Sequence, residues 1–130
     1  MKQVTTDTKR AESQAKAQLE SIREMVAALE AGEEIDGQDA SEAIQEDALS
    51  VEIRSGWHSP GAESEEEEYR ILLCWGGPSV RIIGGLGAYS VPDTAELQYQ
   101  DWFTEWEPLP LESGDEEVLL DYARTFYFGS

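Results

Sequence analysis

Apolar residues first settle into a regular rhythm after Ala11. Ala15, Leu19, Ile22, Val26 and Leu29 follow one another at steps of four, three, four and three. Those steps put them on one stripe of an amphipathic helix, with Lys16, Glu20, Arg23, Glu24 and Glu30 on the other side. Gly32 stands just past the last apolar position, where a left-handed residue commonly closes a helix. Residues 1–9, ahead of this pattern, are polar and aperiodic. They are expected to be a flexible N-terminus to one domain spanning 10–130. Glu33 to Gln38 reads as a polar connector. Asp39 followed three residues later by Glu42 fits a capping box, which predicts a short second helix over Ala40 to Asp47. Its apolar face would be Ala40, Ala43, Ile44 and Ala48.

Beyond Leu49 the period drops to two. Val51, Ile53, Ser55 and Trp57 alternate with Glu52, Arg54 and Gly56, the pattern of a strand with one buried face. His58-Ser59-Pro60-Gly61 breaks the run, and Ala62 to Glu68 is an acidic loop. Tyr69 to Trp75 is almost continuously apolar, which predicts a central strand buried on both faces. Gly76-Gly77-Pro78 is turn chemistry, so Val80 to Ile83 should return as a hairpin partner. Thr94 to Trp102 alternates again and is read as a fourth strand. Pro108 and Pro110 then impose an extended linker. A last helix opens at Ser113 to Glu117, where acids suit the positive end of the helix dipole. Val118, Leu119, Tyr122, Ala123 and Phe126 would form its apolar face. The pattern as a whole predicts an α+β domain with two N-terminal helices, a four-stranded antiparallel meander and a C-terminal helix packed on the sheet.

The chain has 130 residues, which fits one domain with one core. Four Trp, five Tyr and three Phe supply that core and argue against disorder. One cysteine, Cys74, excludes an internal disulfide and suits a reducing, cytoplasmic setting. No apolar run is long enough to span a membrane, and the first ten residues do not read as a secretory signal.

Charge changes the picture more. Of 28 acidic residues, 24 lie between Glu30 and Asp121, alongside only Arg54, Arg70 and Arg81. The whole chain carries a formal charge of −19. Such a body repels nucleic acid and anionic membrane and attracts basic surfaces.

Candidate chemistry is sparse. His58 and Cys74 lack a third, orienting group, and Cys74 reads as a small core residue. One His and one Cys cannot hold zinc. Glu33 to Asp39 offers oxygen ligands, yet it lacks the alternation and closing glutamate of an EF-hand. The glycines at 76, 77, 84, 85 and 87 have no Lys-Ser or Lys-Thr after them to make a phosphate cradle. Asp101 is the one acid in an aromatic setting; its bland reading is a strand-end acid bonded to the adjacent loop. These residues point to no cofactor and to no enzyme.

What remains is the acids as a display. Three parts stand out: Glu30, Glu33, Glu34, Asp36, Asp39, Glu42, Glu46 and Asp47; the loop of Glu63, Glu65, Glu66, Glu67 and Glu68; and Glu105 through Asp121, where Glu105 and Glu107, with Asp101 just before them, surround Trp106. Carboxylates on a rigid scaffold can occupy a groove built for nucleic acid. The bland reading is solvated acidity that serves solubility. A second functional reading is an adaptor that uses Trp102, Phe103 and Trp106 as an apolar anchor, although their default role is to pack the final helix on the sheet.

Several segments resemble a family of small acidic proteins encoded by phages and other mobile elements. They are residues 49–57 (Leu-Ser-Val-Glu-Ile-Arg-Ser-Gly-Trp), 69–74 (Tyr-Arg-Ile-Leu-Leu-Cys), Gly76-Gly77-Pro78, Gln100-Asp101-Trp102 and Phe126-Tyr127-Phe128-Gly129. In charge and length such proteins are similar to anti-restriction and anti-CRISPR inhibitors. The resemblance implies a phage-type source more than an activity; together with the acidic display it leads to the expectation of a non-enzymatic inhibitor acting in the host cytoplasm on a basic, nucleic-acid-binding host protein, without touching nucleic acid or membrane itself. A homodimer would be the simplest way to bury a sheet face left without helices.

Overall fold

The computed structural model describes residues 2–55, 57, 59–60, 66–76, 78–101, 104–126 and 128. Its elements are α1 (Lys2–Ala31), β1 (Glu34–Ile35), β2 (Gln38–Asp39), α2 (Ala40–Asp47), β3 (Ser50–Ser55), β4 (Glu66–Cys74), β5 (Ser79–Gly85), a 3-10 turn (Ala88–Ser90), β6 (Glu96–Gln100), β7 (Glu107–Pro108) and α3 (Asp115–Ala123). The architecture is α+β. β1 and β2 form a small antiparallel ribbon, and β3 to β7 form an antiparallel meander in chain order.

α1 begins at Lys2, well ahead of Ala11, where the apolar period starts. Its predicted stripe is the buried one: Ala15, Leu19, Ile22 and Val26 are buried together with Ala11 and Met25. The helix closes as a Schellman motif. Gly32 has φ +70, its N–H donates to the Leu29 carbonyl, and the Glu33 N–H donates to the Ala28 carbonyl at 2.9 Å.

The predicted connector is instead the hairpin of β1 and β2. Asp36 and Gly37, at φ 51 and φ 80, form a two-residue turn with both central residues left-handed. Asp-Gly favours that turn type, so the signal was in the sequence. α2 has the predicted bounds, with Ala40 and Ile44 buried. Its capping box does not form, because the Asp39 side chain makes no cap hydrogen bond.

The sheet has one more strand than expected. β7 pairs Glu107 and Pro108 with Tyr99 and Gln98, where a plain linker was predicted. β4 is not buried on both faces. Tyr69, Ile71 and Leu73 are buried while Arg70 is exposed, so β4 alternates like its neighbours. β4 carries two bulges, one of them inside the apolar run. Registers shift at Arg54/Ser55 and at Leu72/Cys74, leaving Glu67 and Leu73 as extra residues on the β4 side.

Partners across the ladder share a side. One side carries Tyr69, Ile71, Val80, Ile82, Leu97 and Tyr99, all buried, with α1 across β5 and β6 and α3 beside β6. The other side has no helix among the described residues. It presents Glu52, Arg54, Arg70, Arg81, Glu96 and Gln98 around the half-buried Leu72 and Ile83.

Candidate functional site

The helical end of the molecule is built by the α1 C-terminus, the β1–β2 hairpin and α2, which contact one another. The Schellman closure turns the chain out of α1, the Asp36-Gly37 turn reverses it, and the half-buried Ile35 packs on the core. Glu30, Glu33, Glu34, Asp36, Asp39, Glu42 and Glu46 are all exposed on this frame. No Lys or Arg lies between Arg23 and Arg54. Among the described residues, none of the seven is ion-paired. Asp47 stands apart from them. Half-buried, it accepts a 2.7 Å hydrogen bond from the Tyr122 hydroxyl, tying α2 to α3. Burial, then that bond, pushes the Tyr122 phenol well above its ordinary pKa.

The second predicted segment divides differently. Glu63 and Glu65 lie outside the described residues. Glu66, Glu67 and Glu68 belong to β4 rather than to a loop. Glu67 is exposed, whereas Glu68 is half-buried and takes two hydrogen bonds from Arg54, at 3.0 and 2.7 Å.

The third segment also splits. Asp101 is buried at the end of β6, where its N–H donates to Thr104 Oγ1 and its carbonyl accepts from the Thr104 N–H and hydroxyl. Beside it, the surface between Ala11, Tyr99, Thr104, Glu105 and Glu107 has no room for a water-sized molecule. Glu105 and Glu107 are exposed. Trp106 is half-buried against the Arg81 guanidinium, 4.0 Å from the ring centre. It therefore lies on the helix-free side of the sheet, not between sheet and final helix. Trp102, Phe103 and His58 lie outside the described residues.

Most arginines are committed internally. Arg23 bridges Asp115 at 2.7 Å and Glu20 at 3.0 Å, Arg70 holds Glu52 at 2.8 Å, and Arg124 reaches Glu117 and the Pro92 carbonyl. Arg81 bonds Gln98 as well as covering Trp106. The bond from Arg70 holds the Glu52 carboxyl below its ordinary pKa. Burial alone would raise Asp115, but Arg23 and the Glu112 N–H outweigh it and leave that carboxyl low as well. The sheet and α3 thus neutralise much of their charge, while the helical end does not.

Sequence reasoning missed a different surface. Val51, Ile53, Ser55 and Trp57 were expected to offer a buried face and are exposed, Trp57 fully so, as is the neighbouring Leu49. Trp75 and Tyr89 are exposed too. Tyr89 and Ser90 hold left-handed backbone (φ 60 and 57) in the β5–β6 connection, a conformation their residue types do not announce. Cys74 is half-buried, its thiol donates to the Pro78 carbonyl at 3.7 Å, and burial pushes its pKa up.

Among the described residues no three His, Cys, Asp or Glu converge as a metal-holding group, and no helix is long and apolar enough to cross a membrane. Comparisons of the chain with protein-family models, curated proteins and solved structures give no match, so the resemblance to phage-encoded acidic proteins rests on the sequence segments alone.

Proposed function

We propose that this protein is a non-enzymatic inhibitor that occupies the basic groove of a nucleic-acid-handling host protein, using the helical end as its contact surface. One observation carries this reading: seven exposed carboxylates sit on the frame of α1, the β1–β2 hairpin and α2, and none of them is ion-paired among the described residues. An uncompensated anionic frame keeps its field for a partner, whereas paired acids largely cancel theirs. Lys and Arg that normally answer phosphates would answer these carboxylates, and nucleic acid would be excluded by competition.

The test is displacement. Proteins retained by the immobilised chain from host lysate are isolated, and labelled duplex DNA is bound to them. Adding the chain should release the DNA, and affinity should fall by orders of magnitude between low and moderate salt. Changing Glu30, Glu33, Glu34, Glu42 and Glu46 to Gln, with Asp36 and Asp39 to Asn, should abolish release while leaving circular dichroism unchanged. Release that is insensitive both to salt and to these substitutions refutes the proposal. The adaptor reading finds its support elsewhere than at Trp106. Among the described residues Trp57, Trp75 and Tyr89 are the exposed aromatics, and salt-insensitive capture lost on Trp57→Ala or Tyr89→Ala would select it.

A further inference from the structure

The two edges of the five-stranded sheet are unlike. β7 is two residues long and contains Pro108, which has no N–H to offer, so that edge is closed to further pairing. β3 is six residues long, contains neither Pro nor Lys, and is exposed at every position. Its partner on one side is β4; on the other side, among the described residues, no strand pairs with it along Ser50 to Arg54. The bulge beside it puts its extra residue, Glu67, on β4, so β3 itself has no inserted residue between Ser50 and Ser55. Val51 and Ile53 pair with Ile71 and Tyr69, and so point to the side the helices cover. The helices stop short of them, leaving them 36% and 42% exposed, with Leu49 at 60%.

We infer that β3 is the docking edge for a second copy of this chain, pairing antiparallel about a two-fold axis at Ile53. The charge pattern selects both occupant and register. Antiparallel partners must match in hydrogen-bonding parity, so a symmetric pair of these strands centres on a residue. Centring on Val51 leaves Glu52 opposite Ser50 and Arg54 opposite Ala48, with no charge pair; centring on Glu52 sets glutamate against glutamate, and centring on Arg54 sets arginine against arginine. Centring on Ile53 sets Glu52 against the partner's Arg54, twice. Within each chain Arg70 already holds Glu52 and Glu68 already holds Arg54. The junction therefore completes a row alternating in sign across four strands: Arg70, Glu52, the partner's Arg54, the partner's Glu68. On the helix side the same register opposes the two Ile53 side chains and brings the Leu49 end of one strand to the Trp57 end of the other. Because the β7 edge is closed, pairing stops at two copies.

Each copy carries −19, so the pair forms against mutual repulsion that salt screens. Dimerisation should strengthen as salt rises, opposite to binding of a basic partner through the helical end. Sedimentation of the full chain over a concentration series, at low and high salt, should show monomer passing to dimer, with more dimer at high salt. Ile53→Lys should leave a folded monomer. Glu52→Lys and Arg54→Glu alone should each weaken self-association about tenfold, since two cross-strand pairs turn repulsive. Mixed, these two variants should associate as heterodimers, because each then supplies the charge that the other needs. A chain that stays monomeric at its solubility limit in high salt overturns the inference. So does a dimer untouched by Ile53→Lys, or variants that fail to recover on mixing.

Discussion

β5 and β3 carry nearly the same pattern to different ends. Val80 and Ile82 alternate with Ser79 and Arg81; Val51 and Ile53 alternate with Glu52 and Arg54. Both apolar pairs point to the same side of one sheet. Val80 and Ile82 are fully buried, while Val51 and Ile53 are more than a third exposed. The difference lies in the second layer. α1 crosses β5 and β6, and α3 flanks β6. Alternation fixes that a segment is a strand and which way its side chains point; coverage depends on where a helix comes to rest. Charge divides likewise, between arginines paired on the sheet and bare carboxylates on the helical end.

The sharpest test of the covered region is Gly84→Ala. Gly84 lies against the start of β6, and a Cβ there would run into the Thr94 carbonyl, which also accepts a 2.7 Å bond from the buried Tyr69 hydroxyl. Backbone cannot yield as a side chain tip can. We expect a loss of about 3 kcal/mol or more in urea unfolding. A loss below about 1 kcal/mol would show that the covered strands have slack and that the contrast with β3 is overdrawn.

Next comes the matched pair. Ile82→Ala removes a fully buried side chain beneath α1 and should cost about 2–5 kcal/mol. Ile53→Ala, measured dilute and at low salt so that self-association is absent, should cost under about 1 kcal/mol. Equal losses would mean that β3 is covered in solution, and the contrast would fail.

A smaller effect comes from the clamp between α1 and α3. Asp115 is buried beneath Arg23 and its folded-state pKa is depressed. A carboxyl held low in the folded state adds stability above its unfolded pKa, and that stability drains away as pH falls through the folded value. Unfolding at a series of pH values should therefore show wild type losing stability below about pH 4 more steeply than Asp115→Asn. Parallel curves would remove Asp115 from the covered, charge-paired region.

The sequence made most of this legible where a single element set the outcome. The α1 stripe, the bounds of α2, the meander order and most of the α3 face follow from period and turn residues. It failed where two elements decide together. β7 pairs only because β6 presents an edge to Glu107 and Pro108, and prolines in isolation read as linker. The acidic stretch and the apolar run of β4 each hid a bulge, at Glu67 and Leu73, whose positions depend on registers with β3 and β5. Asp39 had the residue type for a cap, yet it also closes the β1–β2 ribbon, and its side chain leaves the helix uncapped. The acidic display was legible as composition. Which acids stay bare was not, since Glu52, Glu68 and Asp47 find partners far along the chain.

The smallest expected effect concerns those bare acids. Neutralising Glu33, Glu34, Glu42 and Glu46 to Gln removes repulsion among groups with no cation nearby, so folding should gain: a rise of about 2 °C in Tm at low salt. Salt screens the same repulsion in wild type, and the gain should fade as ionic strength passes about 0.15 M, where the screening length is about 8 Å. Glu52→Gln is the counterpart on the sheet. It deprives Arg70 of its partner and should bring no gain at any salt, since the exposed pair is worth little and its loss removes no repulsion. A rise at low salt for the helical set alone would show that its carboxylates act on one another as an unscreened field. Equal behaviour of the two sets would mean that charge at the helical end is as compensated as charge on the sheet, and the proposed contact surface would lose what distinguishes it.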